Sequence, residues 1–77
     1  MTRDEVIALL AVANTYDDRK PSQALISAWS ESAERAGWTL DAAKNAIHAH
    51  YAENTDRIMP GHITQHIKAE NRRWYEQ

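Results

Sequence analysis

Apolar residues recur at helical spacing in four segments of the chain, which short polar stretches separate. The first segment begins at Thr2, and Glu5 follows three residues later. This spacing is typical of a capping box, in which each side chain accepts a hydrogen bond from the other residue's backbone N–H. At about 100° per residue, the apolar groups form one stripe: Val6, Ile7, Leu9, Leu10 and Ala13. The pattern predicts a first helix with this stripe in the core.

The second segment follows the charged run Asp17-Asp18-Arg19-Lys20, which we expect to be solvated. Pro21 is predicted in the first turn of the second helix, because its missing N–H would have no partner there. The inner face is predicted to comprise six residues: Leu25, Ile26, Trp29, Ser32, Ala33 and Ala36. Gly37 is expected to end the helix in the left-handed conformation, which folds Trp38 back toward Ala33.

The third and fourth segments have equally clear helix starts. Thr39 is a favoured N-cap with Asp41 in the acidic first turn, and Pro60 with Gly61 begins the fourth helix. The buried stripe of the third helix is predicted to be Leu40, Ala43, Ile47 and Tyr51. That of the fourth is Ile63, Ile67 and Trp74. Glu70 falls on the same line, so we expect the inner face of the fourth helix to fade after about two turns.

Together these segments predict an all-α protein with a single helical domain over residues 1–77, a compact bundle of three long helices closed by a fourth. The core is predicted from eight residues: Leu10, Leu25, Trp29, Trp38, Ile47, Tyr51, Ile63 and Ile67. A chain of 77 residues buries only about 60% of the surface that its unfolded form exposes. Stability is therefore expected to be modest or shared with a partner.

Composition narrows the possible environments and partners. The chain has no cysteine, so neither a disulfide nor a thiolate metal site can form. Its formal net charge is −2. A negative net charge opposes binding of the whole molecule to nucleic acid. The apolar run at residues 6–13 is much shorter than the roughly 20 residues of a membrane span, and the first five residues do not resemble a signal peptide. We expect a cytoplasmic protein without membrane contact.

Four histidines raise the question of a metal. His62 and His66 are spaced i, i+4, as in helical zinc sites, and His50 is a conceivable third ligand. However, no acidic residue that could act as a general base lies between this pair, and Thr64 and Gln65 cannot take that role. The preferred interpretation is that His50 and His66 form hydrogen bonds between helices and that His48 and His62 are exposed. No metal and no cofactor is predicted.

Signatures of catalysis are also missing from the sequence. There is no cysteine nucleophile, and the serines at positions 27, 30 and 32 lack the glycines of a nucleophile elbow. The only glycines, Gly37 and Gly61, lie too far apart for a phosphate-binding loop. The sequence predicts a protein that is not an enzyme.

The fourth helix carries the best candidate binding surface. Gln65, Lys68 and Arg72 are spaced i, i+3, i+7, so they lie on one face of a helix. Six residues are predicted to bind a protein or nucleic acid: Gln65, Lys68, Asn71, Arg72, Arg73 and Trp74. Glutamine, asparagine and arginine can recognise base edges, whereas Trp74 beside Tyr75 is typical of protein interfaces. Three cations supply few phosphate contacts, which favours a protein partner.

Several residues that anchor the predicted helices together make a recognisable pattern. They are Glu5-Val6, Leu9-Leu10, Tyr16, Trp29, Leu40, Ala42-Ala43, Ala46-Ile47, Tyr51-Ala52, Ile58-Met59-Pro60 and Ile63. Over residues 2–68 this pattern resembles the folded N-terminal domain of the small phage proteins that load and inhibit the replicative DNA helicase. Residues 49–63 also resemble short actinobacterial phage or prophage proteins. In the loader family a long C-terminal half engages the helicase, and its counterpart here would be residues 68–77.

The resemblance implies a non-enzymatic phage-type accessory protein of DNA replication in the cytoplasm of a bacterial host cell. Its expected partner is a replication protein, first of all the replicative helicase, bound through the fourth helix. The alternative is a small DNA-binding protein that uses residues 62–75 as its recognition helix. The oligomeric state is left open by the sequence.

Overall fold

Four helices in chain order form the structure, a computed structural model that describes the backbone of residues 1–75 and the side chains of residues 1–71. They are α1 (Arg3–Asp17), α2 (Gln23–Ala36), α3 (Leu40–Glu53) and α4 (Pro60–Tyr75). No strand occurs within the described residues. The predicted all-α bundle is confirmed. The fourth helix, with 16 residues, is no shorter than the other three.

Capping residues set the helix ends largely as predicted. The Thr2 and Glu5 side chains both accept from the other residue's backbone N–H, and the Thr39 hydroxyl accepts from Ala42. Gly37 ends α2 in the left-handed conformation at φ 69°. The expected position of Pro21 was wrong: α2 begins after it, with Ser22 as the N-cap. The Ser22 hydroxyl can accept a hydrogen bond from a free backbone N–H of the first turn, which proline cannot do.

Within residues 1–71, thirteen apolar residues form the buried core: Val6, Leu9, Leu10, Ala13, Ile26, Trp29, Ala33, Trp38, Ala43, Ala46, Ile47, Ile58 and Ile63. Three residues predicted for the core are only partly buried and pack against it: Leu25, Tyr51 and Ile67. Ile7 is 37% exposed although the predicted stripe included it. In α2 the buried line is Ile26, Trp29 and Ala33, and Ala36 is exposed. α2 packs against both α1 and α4, so its inward direction is set by two neighbours that the helical period alone does not reveal.

α4 is fixed to the other helices by contacts near its beginning. The Trp38 backbone N–H donates to the Ala33 carbonyl at 3.0 Å, which folds the indole back over the end of α2 as predicted. The indole packs edge to face against Trp29, with 6.2 Å between ring centres. Its Nε1–H donates to the Thr64 hydroxyl at 3.0 Å. The two tryptophans therefore join α2, the α2–α3 turn and α4.

A buried ion pair holds the two longer connections together. The prediction that residues 17–20 are solvated was wrong for Asp17 and Arg19, whereas Asp18 and Lys20 are exposed. The Arg19 guanidinium, only 2% exposed, pairs with the Asp17 carboxylate, 8% exposed. Arg19 also donates to the Ile58 carbonyl at 2.7 Å and lies 5.0 Å from the centre of the Trp29 ring. The α1–α2 connection is thereby bonded to the segment that leads into α4.

Tyr51 completes this buried cluster. Its hydroxyl donates to Asp17 Oδ2 at 2.6 Å and accepts from the Ile58 backbone N–H at 2.9 Å. Burial by itself raises the pKa of Asp17, but the hydrogen bonds from Arg19 and Tyr51 and the charge of Arg19 outweigh it, so the pKa is lowered from 3.8. Among the described side chains every buried polar atom has a hydrogen-bond partner. The cluster is a satisfied structural element that positions the start of α4.

Candidate functional site

α4 loses its buried side after Ile67. Ile63 is fully buried and Ile67 is half-buried. The next four residues, Lys68, Ala69, Glu70 and Asn71, are all exposed. Successive helical residues point about 100° apart, so these four cover every side of the helix. The fading inner face is confirmed, although the backbone continues as a helix to Tyr75.

An open groove of about 620 Å³ lies between α2 and the first turns of α4. Eight residues line it: Ser32, Arg35, Ala36, Pro60, Gly61, Thr64, Gln65 and Lys68. Two of these side chains are cationic and none of the eight is acidic, although the whole chain carries a net charge of −2. The charged side chains that line the groove are therefore both cationic, and one of them, Arg35, pairs with Glu31 beside the groove.

Of the six residues predicted for binding, the three whose side chains are described lie on two different surfaces. Gln65 and Lys68 are exposed and line the α2–α4 groove. Asn71 is exposed on another side of the helix, where it lines a smaller recess with Ala42 and Asn45 of α3. The side chains of Arg72, Arg73 and Trp74 lie outside the described residues. Their place on α4 is given by its backbone alone.

Arg35 of α2 is a residue of this surface that the sequence did not indicate. Its side chain is 80% exposed and pairs with Glu31 one turn earlier, at 2.7 Å. By spacing alone it is an ordinary solvated cation of a helix surface. Only the packing of α2 against α4 brings it to the same groove as Lys68.

Gly61 is placed where the fold does not require a glycine. Gly37 is the only glycine with positive φ. Apart from its chain neighbours and the nearby helix backbone, no described heavy atom lies within 4 Å of the position that a Cβ on Gly61 would occupy. A glycine inside a helix costs about 0.5–1 kcal/mol relative to alanine. Within the described residues, neither steric crowding nor backbone conformation requires a glycine at position 61. The lack of a side chain there leaves the helix backbone accessible from the groove.

The histidines form contacts that differ from the prediction. His48, expected to be merely exposed, joins α3 to α1 through a 2.6 Å hydrogen bond between its Nδ1 and the Tyr16 hydroxyl. His50 forms no hydrogen bond to another helix among the described side chains; its Nε2 donates to the Asp56 carbonyl at 2.8 Å. His66 lies 3.9 Å from the Glu70 carboxylate within the same helix. The interhelical hydrogen bond thus belongs to His48 rather than to His50 or His66.

A groove of about 540 Å³ between α3 and α4 is lined by His50, His62 and His66. The His50 and His62 rings stack with 4.7 Å between their centres. His62 Nδ1 accepts from the Met59 backbone N–H at 2.9 Å, so in the neutral ring the proton is on Nε2 and neither ring nitrogen offers a free lone pair to a metal. No set of three or more His, Cys, Asp or Glu side chains within the described residues has the arrangement of a metal site.

The chain gave no match to a protein-family model, a curated protein or a solved structure. Its resemblance to the phage helicase-loading proteins stays a prediction. Among the described residues, no helix combines the length and apolar character needed to cross a bilayer.

Proposed function

We propose that this chain is a non-enzymatic docking protein that binds a protein partner through α4. Gln65 and Lys68 contribute from the groove, and Arg72, Arg73 and Trp74 contribute from the end of the helix. The observation that carries the proposal is that α4 continues to Tyr75 although no side of it is buried at residues 68–71. Helices in proteins gain most of their stability by packing an apolar face, and short unpacked ones are marginal in water.

A partner that covers α4 beyond Ile67 would pack against residues 68–71, which are exposed. Helices commonly dock by laying one face into a groove of another protein. The sequence places two arginines and two aromatic residues on about the last turn of α4, and these residue types dominate binding energy in protein interfaces. The resemblance to helicase loaders makes a bacterial replicative helicase the first partner to test.

The test is affinity capture from nuclease-treated bacterial lysate, followed by direct binding to purified replicative helicase. The Arg72→Ala, Arg73→Ala, Trp74→Ala triple variant is expected to lose the partner that the parent captures. The Arg3→Ala, Lys20→Ala variant, which removes two exposed cations elsewhere, is the control and is expected to keep it. If the triple variant captures the same partner as the parent, the assignment of the site is wrong.

DNA binding by α4 is the second candidate function, favoured by the presence of Arg35 and Lys68 among groove-lining residues that include no acidic side chain. The log of the binding constant would fall with log salt by about 0.9 for each phosphate contacted. The Lys68→Ala, Arg72→Ala variant would then bind duplex DNA more weakly and with a shallower salt dependence. A mobility-shift assay that shows no complex at low salt would exclude this function.

A further inference from the structure

We infer that the groove between α2 and α4 holds an acidic segment of the partner protein, which lies over Gly61 between Arg35 and Lys68. The inference rests on the proposed docking function and adds the chemistry of the segment that the groove binds. The groove lies beside the packed first turns of α4. The proposed docking residues Arg72, Arg73 and Trp74 belong to the C-terminal end of the same helix. One partner could cover both because the helix is continuous.

Charge complementarity identifies the kind of segment. Arg35 and Lys68 come from different helices and line the same groove, and none of the other six lining residues is charged. The pair of Arg35 with Glu31 does not occupy the guanidinium permanently, because both side chains are largely exposed, at 80% and 60%. Exposed pairs of this kind add little to stability, so a carboxylate of a partner can replace Glu31. A planar guanidinium can bind such a carboxylate with two parallel hydrogen bonds.

The floor of the groove suits a peptide chain. Ala36, Pro60 and Gly61 are small, so a bound segment can approach the backbone of α4 closely. The Thr64 hydroxyl accepts from Trp38 and keeps its own proton to donate. The exposed Gln65 amide can both donate to and accept from a peptide bond. Two cations are few for a phosphate polymer, whose binding depends on neutralising several phosphates.

Gly61 provides a variant that separates binding from folding. Because the Cβ position faces open space and φ is not positive, Gly61→Leu is expected to fold normally, with a melting temperature no lower than that of the parent. The leucine side chain would nevertheless fill the floor of the groove. If Gly61 served only the fold, Gly61→Leu would lower the melting temperature and leave the binding of a folded sample unchanged.

The experiment is an NMR titration of the full chain with a 12-residue peptide of alternating glutamate and leucine. A peptide of alternating lysine and leucine and a 20-base-pair DNA duplex are the comparison probes. Amide shifts are expected to cluster around Ser32, Gly61, Gln65 and Lys68 with the acidic peptide only. Gly61→Leu and the Arg35→Glu, Lys68→Glu variant are each expected to weaken binding at least tenfold. The control Arg3→Glu, Lys20→Glu changes the net charge equally outside the groove and should bind within twofold of the parent.

Several results would overturn the inference. Equal binding by Gly61→Leu, shifts located outside the groove, or equal binding of the lysine peptide would each exclude an acidic segment here. Saturable DNA binding at the same residues would assign the groove to a nucleic acid instead. If the acidic peptide fails while the triple variant at Arg72, Arg73 and Trp74 still loses its captured partner, the docking function stands and only the groove assignment fails. The reverse pattern would keep the groove and remove the helix end.

Discussion

Replacing Arg19 with methionine should be among the most damaging single substitutions in this protein. Methionine has a similar length but lacks the charge and the donors. It would leave the Asp17 carboxylate, 8% exposed, without its counterion and the Ile58 carbonyl without its donor. It would also remove the cation above the Trp29 ring.

The expected loss follows from the burial of the pair. Removing one partner of a buried ion pair costs about 3–5 kcal/mol, because the remaining charge is uncompensated. A domain of 77 residues has a free energy of unfolding of about 4–12 kcal/mol, at about 0.05–0.15 kcal/mol per residue. Arg19→Met should therefore remove a large part of the stability, and at the lower end of the range it would unfold the protein.

Urea unfolding at pH 7, followed by tryptophan fluorescence and far-UV circular dichroism, measures this loss. Lys20→Met is the matched control: Lys20 is adjacent and exposed, so its free energy of unfolding should change by no more than about 0.5 kcal/mol. In the Asp17→Leu, Arg19→Met double variant no buried charge is orphaned, so it should be more stable than Arg19→Met alone. A loss below about 1 kcal/mol for Arg19→Met would show that the pair is solvated in solution and would refute the reasoning.

Three further predictions concern Tyr51, Asp17 and the two glycines. Tyr51→Phe should lower the free energy of unfolding by about 1–3 kcal/mol in urea titrations, because the Ile58 N–H would lose its acceptor; an unchanged midpoint would contradict this. Because the folded-state pKa of Asp17 is lowered, its contribution to stability is present above pH 3.8 and is lost as the pH falls through the folded value. Urea midpoints between pH 7 and 2 should therefore fall more steeply for the parent than for Asp17→Asn, and parallel curves would count against it. Gly37→Ala should destabilise by about 1–2 kcal/mol because φ is 69°, whereas Gly61→Ala should stabilise by about 0.5–1 kcal/mol; calorimetric melting compares the two, and a loss for Gly61→Ala would reveal an unseen packing requirement.

The sequence located the candidate site on α4 and indicated two of its residues, but it did not indicate which residue of another helix contributes to it. The helical period correctly placed Gln65 and Lys68 on the exposed side of α4, because exposure of a helix face follows from which residues on it are apolar. Arg35 carries no comparable signal, since an arginine spaced i, i+4 from a glutamate is common on any solvated helix. It belongs to the groove only because α2 packs beside α4.

The same division applies to the fold. Residues within four positions of one another specify the caps at Thr2, Thr39 and Gly37, and the apolar period specifies four helices, so these features are properties of the sequence alone. The burial of Arg19 is different, because its bond to the Ile58 carbonyl joins residues 39 positions apart. A charged side chain can be exposed to water in a loop, or it can be buried in a core that supplies hydrogen-bond and ion-pair partners. The local sequence does not distinguish exposure from paired burial. Which polar residues became buried, and which cations meet at one groove, was decided by the way the helices pack.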